Sequence, residues 1–179
     1  MVPELKSLLD KAHISLILDG YDALFSDFDP RPYPERAISD DFLIEAKRAI
    51  REAEPGTLEM RFLIPRHLKN AHEEEIIRER LHHYFHKQSL QITKETRGLV
   101  RNGAFLALLG FVLMFLSSYI AHQLAQTLLL EFVRVVMEPA GWFLVWYGCD
   151  QIFYDAKSKK PELEFSRKMS RSEIHFDSY

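Results

Sequence analysis

The chain contains little of what defines several classes of protein. Cys149 is the one cysteine among 179 residues, so no disulfide can form within the chain. Lysine and arginine number 23 against 26 aspartates and glutamates, and this net charge of −3 argues against a broad nucleic-acid-binding face. The first residues, MVPELKSLLDKAH, lack a basic stretch followed by an apolar one, so no cleavable signal peptide is predicted.

Motifs for common catalytic chemistry are also missing. No glycine-rich phosphate loop follows a predicted strand, and no nucleophile elbow is present. The sequence therefore predicts no catalytic residue and no cofactor, and it favours a non-enzymatic function.

A long uncharged run is the clearest positive feature of the sequence. From Asn102 to Ala121 the chain reads NGAFLALLGFVLMFLSSYIA, about the length that crosses a bilayer core of roughly 30 Å. The alternative is a buried helix of a soluble protein, but such helices are usually shorter and keep a polar stripe. We predict a first transmembrane helix over residues 99–121.

A second apolar segment contains charged residues, and we predict a second transmembrane helix over residues 131–154. Glu131, Arg134 and Glu138 are spaced three and four residues apart, so they share one helix face. One placement runs the span from about Thr127 to Gly148, with Arg134 and Glu138 inside the membrane. The other lays residues 124–137 along the outer interface and starts the span at Pro139. The first is favoured, because the second leaves few apolar residues before Asp150.

Orientation follows from the basic residues around the two spans. Basic residues precede the first segment and follow the second, and the short connection over residues 122–130 has no lysine or arginine. The flanking residues are Lys87, Lys94, Arg97 and Arg101 before the first span, and Lys157, Lys159, Lys160, Arg167 and Lys168 after the second. Positive flanks stay inside. We therefore expect a multi-pass protein of the plasma or inner membrane, with both termini cytoplasmic.

The polar chain ends are expected to fold together on the cytoplasmic side. Residues 1–98 predict a strand from Ile14, a helix from Asp41 to Ala53, a strand ending at Pro65, and a long helix capped by Asn70. Residues 155–179 predict extended structure with a turn or bulge near Ser170, adding to a sheet of three or four strands. The predicted fold class is an α+β membrane protein, in which a two-helix transmembrane hairpin carries a small cytoplasmic α/β domain built from both chain ends.

An acidic loop is the first candidate site. Crowded carboxylates at a strand end can bind a hard cation, and the loop has four: Asp19, Asp22, Asp27 and Asp29. The spacing matches no EF-hand loop. The simpler interpretation is a solvated loop whose acids pair with Arg31 and Arg36, and this interpretation is preferred.

A histidine stripe on the long helix is the second candidate site. His72, His82 and His86 recur with Glu75 and Glu79 at helical spacing, and His82 and His86 at i and i+4 can chelate zinc. No HExxH pattern or nearby cysteine supports the site, so a polar outer helix face is the preferred interpretation.

The charged face of the second span, Glu131, Arg134 and Glu138, is the most informative candidate. Charges at membrane depth are costly, so they usually pair or line a pathway. The simpler interpretation places these residues at the outer headgroup level, where they only anchor the helix. The leading function is a membrane-anchored regulatory or assembly module. The alternative is a subunit of a homo-oligomeric channel or transporter lined by this face, and the third is a metal-dependent membrane enzyme. Expected partners are the lipid bilayer and a second copy or another membrane protein, without nucleic acid.

Overall fold

The computed structural model describes residues 14–52, 59–123 and 127–179. In chain order, its elements are β1 (Ile14–Ile17), α1 (Asp40–Glu52), β2 (Glu59–Ile64), α2 (Ala71–Gln123), α3 (Leu128–Asp150), a π-helical turn (Gln151–Asp155), a single turn α4 (Ala156–Ser158), α5 (Lys160–Met169) and β3 (Glu173–Ser178). Short 3-10 turns lie at Tyr21–Leu24 and Arg66–Leu68. The chain divides into an α/β unit (Met1–Ser89 and Glu164–Tyr179) and a helical unit (Leu90–Leu163), and α2 contributes residues to both.

The sheet of the α/β unit has three strands in the order β1-β2-β3, and all of them are parallel. Ile14 pairs with Met60, and Met60 pairs with Ile174, so apolar side chains from all three strands fall on one face. The predicted strands at Ile14 and before Pro65 are confirmed. Because β3 pairs with β2, the two ends of the chain complete one sheet.

The C-terminal tail corrects part of the sequence prediction. Residues 160–169 form helix α5, where extended structure was expected, and only Glu173–Ser178 is a strand. The reason is the spacing of the buried side chains: Phe165 and Met169 lie four residues apart and bury the same helix face. The predicted packing of the tail is confirmed, since Phe165 and Ile174 both belong to the core of the α/β unit.

The start of α2 is fixed to the α/β unit by side-chain hydrogen bonds. As predicted, Asn70 caps the helix, because its Oδ1 accepts from the His72 N–H at 3.1 Å. The Tyr21 hydroxyl accepts from the Asn70 N–H at 2.9 Å and donates to the buried Glu74 carboxylate at 3.0 Å. Behind this cap, Ile77, Leu81 and Phe85 are fully buried in the core.

Two cations from the region of α2 bind backbone carbonyls of β3. Lys69 Nζ donates to the Phe176 carbonyl and Arg78 Nε donates to the Ile174 carbonyl, both at 3.1 Å. Carbonyls at a sheet edge that have no hydrogen-bond donor can pair with a strand of another chain. These contacts therefore protect β3 against edge-to-edge association.

The helical unit is built on contacts between α3 and the second half of α2. Gly103 lies against Gly148 and Gly110 lies against Gly141, so the two helices run antiparallel. A Cβ placed on Gly103 would meet the Gly148 carbonyl oxygen at 2.6 Å, and one on Gly110 would meet the Gly141 oxygen at 2.5 Å. The Ser117 hydroxyl donates to the Arg134 carbonyl at 3.3 Å, one heptad further along. Small residues at this spacing allow close backbone approach.

Within the described residues, one helix is long and apolar enough to cross a membrane. It is α2, whose most apolar window has a mean hydropathy of 2.2 and is only 17% buried. Helix α3 falls short of the same criterion, and it carries Glu131, Arg134 and Glu138.

Around the predicted connection, both helices extend past the predicted ends of the transmembrane segments. Helix α2 continues to Gln123 and α3 begins at Leu128, three residues before the predicted start of the second span. Both ends of the connection predicted over residues 122–130 are therefore helical. Residues 124–126 lie outside the described part of the chain. At the other end α3 stops at Asp150, and a π-helical turn covers Gln151–Asp155.

Candidate functional site

The acidic loop is held by its own arginines, as the preferred interpretation expected. Arg31 donates to both carboxylate oxygens of Asp29, and Asp29 also accepts from the Ala37 N–H at 2.7 Å. Arg36 forms an ion pair with Asp22. Two of the four predicted carboxylates are therefore engaged in closing the loop, while Asp19 and Asp27 are exposed.

The electrostatics of this loop follow from these contacts. The hydrogen bonds from Arg31, and then that from the Ala37 amide, hold the pKa of Asp29 well below its usual range. The Asp29 carboxylate in turn raises the pKa of Arg31. Burial raises the pKa of Tyr33, which stacks on Phe25, and the negative charge of Asp22 adds to the effect. These contacts close the loop on itself.

The histidine stripe lies along α2, and its members have different surroundings. His82 Nδ1 is 3.1 Å from the Ser170 carbonyl oxygen, while His72 and His86 are exposed. Glu75, Glu79, His82, His86 and Ser170 border a shallow surface groove of about 510 Å³. Glu75 pairs with Arg78, which leaves less of its charge for a bound cation.

No arrangement of three or more His, Cys, Asp or Glu side chains suited to a metal ion occurs in residues 14–52, 59–123 and 127–179. The metal sites at the acidic loop and at the histidine stripe stay predictions, and the observed contacts give them no added support.

The three charged residues of α3 are not equivalent. An Arg134 guanidinium nitrogen lies 3.7 Å from Glu138 Oε1, one helical turn apart, and the two side chains are 29% and 59% exposed. Glu131 is exposed in the first turn of α3. Among the described residues Glu138 accepts no hydrogen bond, so the long contact with Arg134 is its only polar interaction.

Glu138 also borders a cavity of the helical unit. This groove of about 780 Å³ is lined by Met114, Ser118, Glu138, Pro139, Trp142, Phe143 and Trp146. Trp142 and Trp146 stack with their ring centroids 5.6 Å apart and an angle of 16° between the planes. Pro139 has no N–H, so the Val135 carbonyl loses its usual helical partner. We call this cavity the Glu138 groove.

Two further patterns in the sequence mark this unit, in addition to its hydropathy and charge. Gly103, Gly110 and Ser117 recur every seven residues, as do Arg134, Gly141 and Gly148. Glu138, Trp142 and Trp146 recur every four residues, which places them on one face of a helix. The first pattern marks the helix contact and the second marks the groove wall. Met114 and Ser118 of α2 form the other wall of the groove. Their position opposite Glu138 depends on the register of the two helices.

Comparison with known proteins identifies no relative of this chain: no family model matches it, and neither does any curated protein or solved structure.

Proposed function

We propose that the protein is a two-pass membrane anchor for a cytoplasmic α/β domain that works as a non-enzymatic regulatory or assembly module. The observation that carries the proposal is the surface of the paired helices. Large apolar side chains such as Phe105, Phe115 and Trp146 are more than half exposed on it. A soluble protein rarely exposes such a continuous apolar surface, whereas lipid covers it at no cost.

The helix lengths support the same placement. The stretches from Arg101 to Gln123 and from Thr127 to Asp150 each rise about 33–35 Å, close to the bilayer core of about 30 Å. The close contacts at Gly103/Gly148 and Gly110/Gly141 are typical of helices that associate within a membrane. Together with the basic flanks, they support a transmembrane hairpin with both termini cytoplasmic.

The continuity of α3 favours one of the two placements of the second span. The helix runs unbroken through Pro139, and Arg134 packs its backbone against Ser117 of α2. A segment lying flat along the outer interface would not make that contact. Counted from Thr127, Arg134 and Glu138 then lie about 10 and 16 Å along the helix, within the membrane.

Labelling of single cysteines tests the topology. In a Cys149→Ala background, Thr127→Cys should react with an impermeant maleimide in intact cells. Asp27→Cys and Arg171→Cys, both at exposed positions, should react only after permeabilisation. If residue 127 and residue 171 label from the same side, the hairpin is wrong.

A homo-oligomeric channel or transport subunit is a second candidate, favoured by one observation. Glu138 is 59% exposed on a largely apolar surface, and a carboxylate at membrane depth usually serves an ion or a partner. Two helices cannot enclose a pore, so this function requires several copies. A monomer in mild detergent and in lipid nanodiscs would exclude the channel and leave the anchor.

A further inference from the structure

The Glu138 groove combines a negative charge with an aromatic wall on a surface assigned to lipid. Glu138, Trp142 and Trp146 follow one another at intervals of one turn along α3, and Met114 and Ser118 of α2 face them across the groove. The lining contains no lysine, arginine or histidine. Arg134 approaches Glu138 at 3.7 Å but is not one of the lining residues.

The polar atoms of the groove accept hydrogen bonds more than they donate them. The Glu138 carboxylate has room for about four hydrogen bonds and accepts none from the described residues. Ser118 adds a hydroxyl to the lining. A carboxylate that accepts no hydrogen bond and has only a long contact with a cation favours a guest that carries positive charge or N–H groups, because its charge is costly in a medium of low dielectric constant.

The two indole rings add a second preference for a cation. Tryptophan has the strongest cation–π interaction of the aromatic side chains, and the interaction grows when water is excluded. The stacked pair forms one continuous wall that leads away from the carboxylate. The volume of about 780 Å³ lies within the range of small-molecule pockets.

We propose that the Glu138 groove binds a lipid-soluble organic cation, of the quaternary ammonium or phosphonium type. Glu138 supplies the counter-charge, Trp142 and Trp146 contact the cation and its apolar substituents, and Met114 and Phe143 complete the apolar lining. The lipid solubility of the ligand rests on the transmembrane placement proposed above. The groove itself belongs to the helix pair, so its binding is measurable in detergent whatever the topology.

The chain provides its own reporter for this site. It has two tryptophans, and both line the groove, so the whole intrinsic tryptophan fluorescence arises there. Titration of the full chain in mild detergent with tetraphenylphosphonium should therefore give saturable quenching. Tetraphenylborate, an anion of the same shape, should give only weak, linear quenching from partition into micelles. Equal responses to the two ions would overturn the proposal without the need for any variant.

Matched substitutions on α3 test whether the charge of Glu138 is the one that binds the cation. Glu138→Gln should weaken phosphonium binding by about tenfold or more, and Glu138→Asp should retain most of it. Glu131→Gln removes the same charge from α3 outside the groove and should leave binding within about twofold of the unsubstituted chain. Equal binding by Glu138→Gln and Glu131→Gln would overturn the proposal.

A groove that binds a second copy of the chain, and not a cation, would give a different result in these experiments. If Glu138→Gln alters the oligomeric state while the unsubstituted chain shows no saturable quenching, the groove holds a second copy of the chain and the proposal is wrong. If Glu138→Gln does not fold, the comparison of the two ions and the Glu138→Asp variant decide. A failed cysteine-labelling experiment with preserved binding would overturn the topology and leave the binding site in place.

Discussion

Tyr21 illustrates how one hydroxyl joins the loop after β1 to the start of α2. It accepts a hydrogen bond from the first capped turn of the helix and donates one to the buried Glu74 carboxylate. Burial is the largest cause that raises the pKa of Tyr21 to about 12, and the hydrogen bond to Glu74 adds to it. The tyrosinate is therefore disfavoured in the folded state.

This predicts a specific loss of stability at alkaline pH. A group whose pKa is higher in the folded state than in the unfolded chain stabilises the fold. For Tyr21 this contribution is fully present below pH 10, the pKa in the unfolded chain, and is lost as the pH rises towards 12. Tyr21→Phe should flatten the decline over that window, although it should cost about 1 kcal/mol at neutral pH through the lost hydrogen bonds. Thermal unfolding followed by circular dichroism at a series of pH values measures both effects.

Tyr154→Phe is the control, because its ring is 72% exposed and it lies in the helical unit. Its pH profile should match that of the unsubstituted chain. An alkaline decline that persists unchanged in Tyr21→Phe would show that another group causes it.

At the scale of elements, the contact between α2 and α3 depends on backbone atoms. A Cβ at Gly110 would lie 2.5 Å from the Gly141 oxygen and 2.8 Å from the Val145 nitrogen, so relief requires the helices to move apart. Overpacking of this kind costs about 1–3 kcal/mol. The glycines are therefore required by the contact between the helices and not by a turn.

Two alanine substitutions in the same helix should have opposite effects. Gly110→Ala should lower the thermal midpoint of the full chain in detergent. At Gly98 a Cβ meets nothing within 4 Å, so Gly98→Ala should raise stability by up to about 1 kcal/mol through helix propensity. If both substitutions stabilise the chain, the close contact at Gly110 does not exist in solution.

At the scale of the whole molecule, the two ends of the chain share one sheet. The register places Phe62 beside Phe176, and their ring centroids are 5.3 Å apart. Tyr21 meets Phe176 edge-on at 6.0 Å. The α/β unit therefore requires residues from before α2 and from after α3.

Removal of one side chain from β3 should therefore damage the whole α/β unit. Phe176→Ala should cost about 3–5 kcal/mol, a large part of the stability of a small domain. His175→Ala alters the opposite face of the same strand, where the side chain is 49% exposed, and should be mild. Resistance of the α/β unit to limited proteolysis compares the two, and equal resistance would mean that the tail is an independent arm.

The sequence by itself determined the elements whose signals are local. Alternating apolar residues marked β1 and β2, Asn70 marked the start of α2, and the uncharged run from Asn102 to Ala121 marked its apolar half. The interpretation of the acidic loop as self-paired was also available, because Arg31 and Arg36 lie within reach along the chain. These features depend on residues near one another in the chain, with Arg36 and Asp22 the farthest apart at 14 residues, so the order of residues specifies them.

Only the tertiary structure decided what depends on distant residues. Phe165 and Met169 share one face of α5, and the residues that this face packs against, such as Phe85, are far away in the chain and are not identified by the spacing. The parallel order of the strands and the pairing of Gly110 with Gly141 are relations between segments far apart in the chain. The Glu138 groove exists because that pairing fixes the register of α2 against α3, which brings Met114 and Ser118 opposite Glu138 and Trp142.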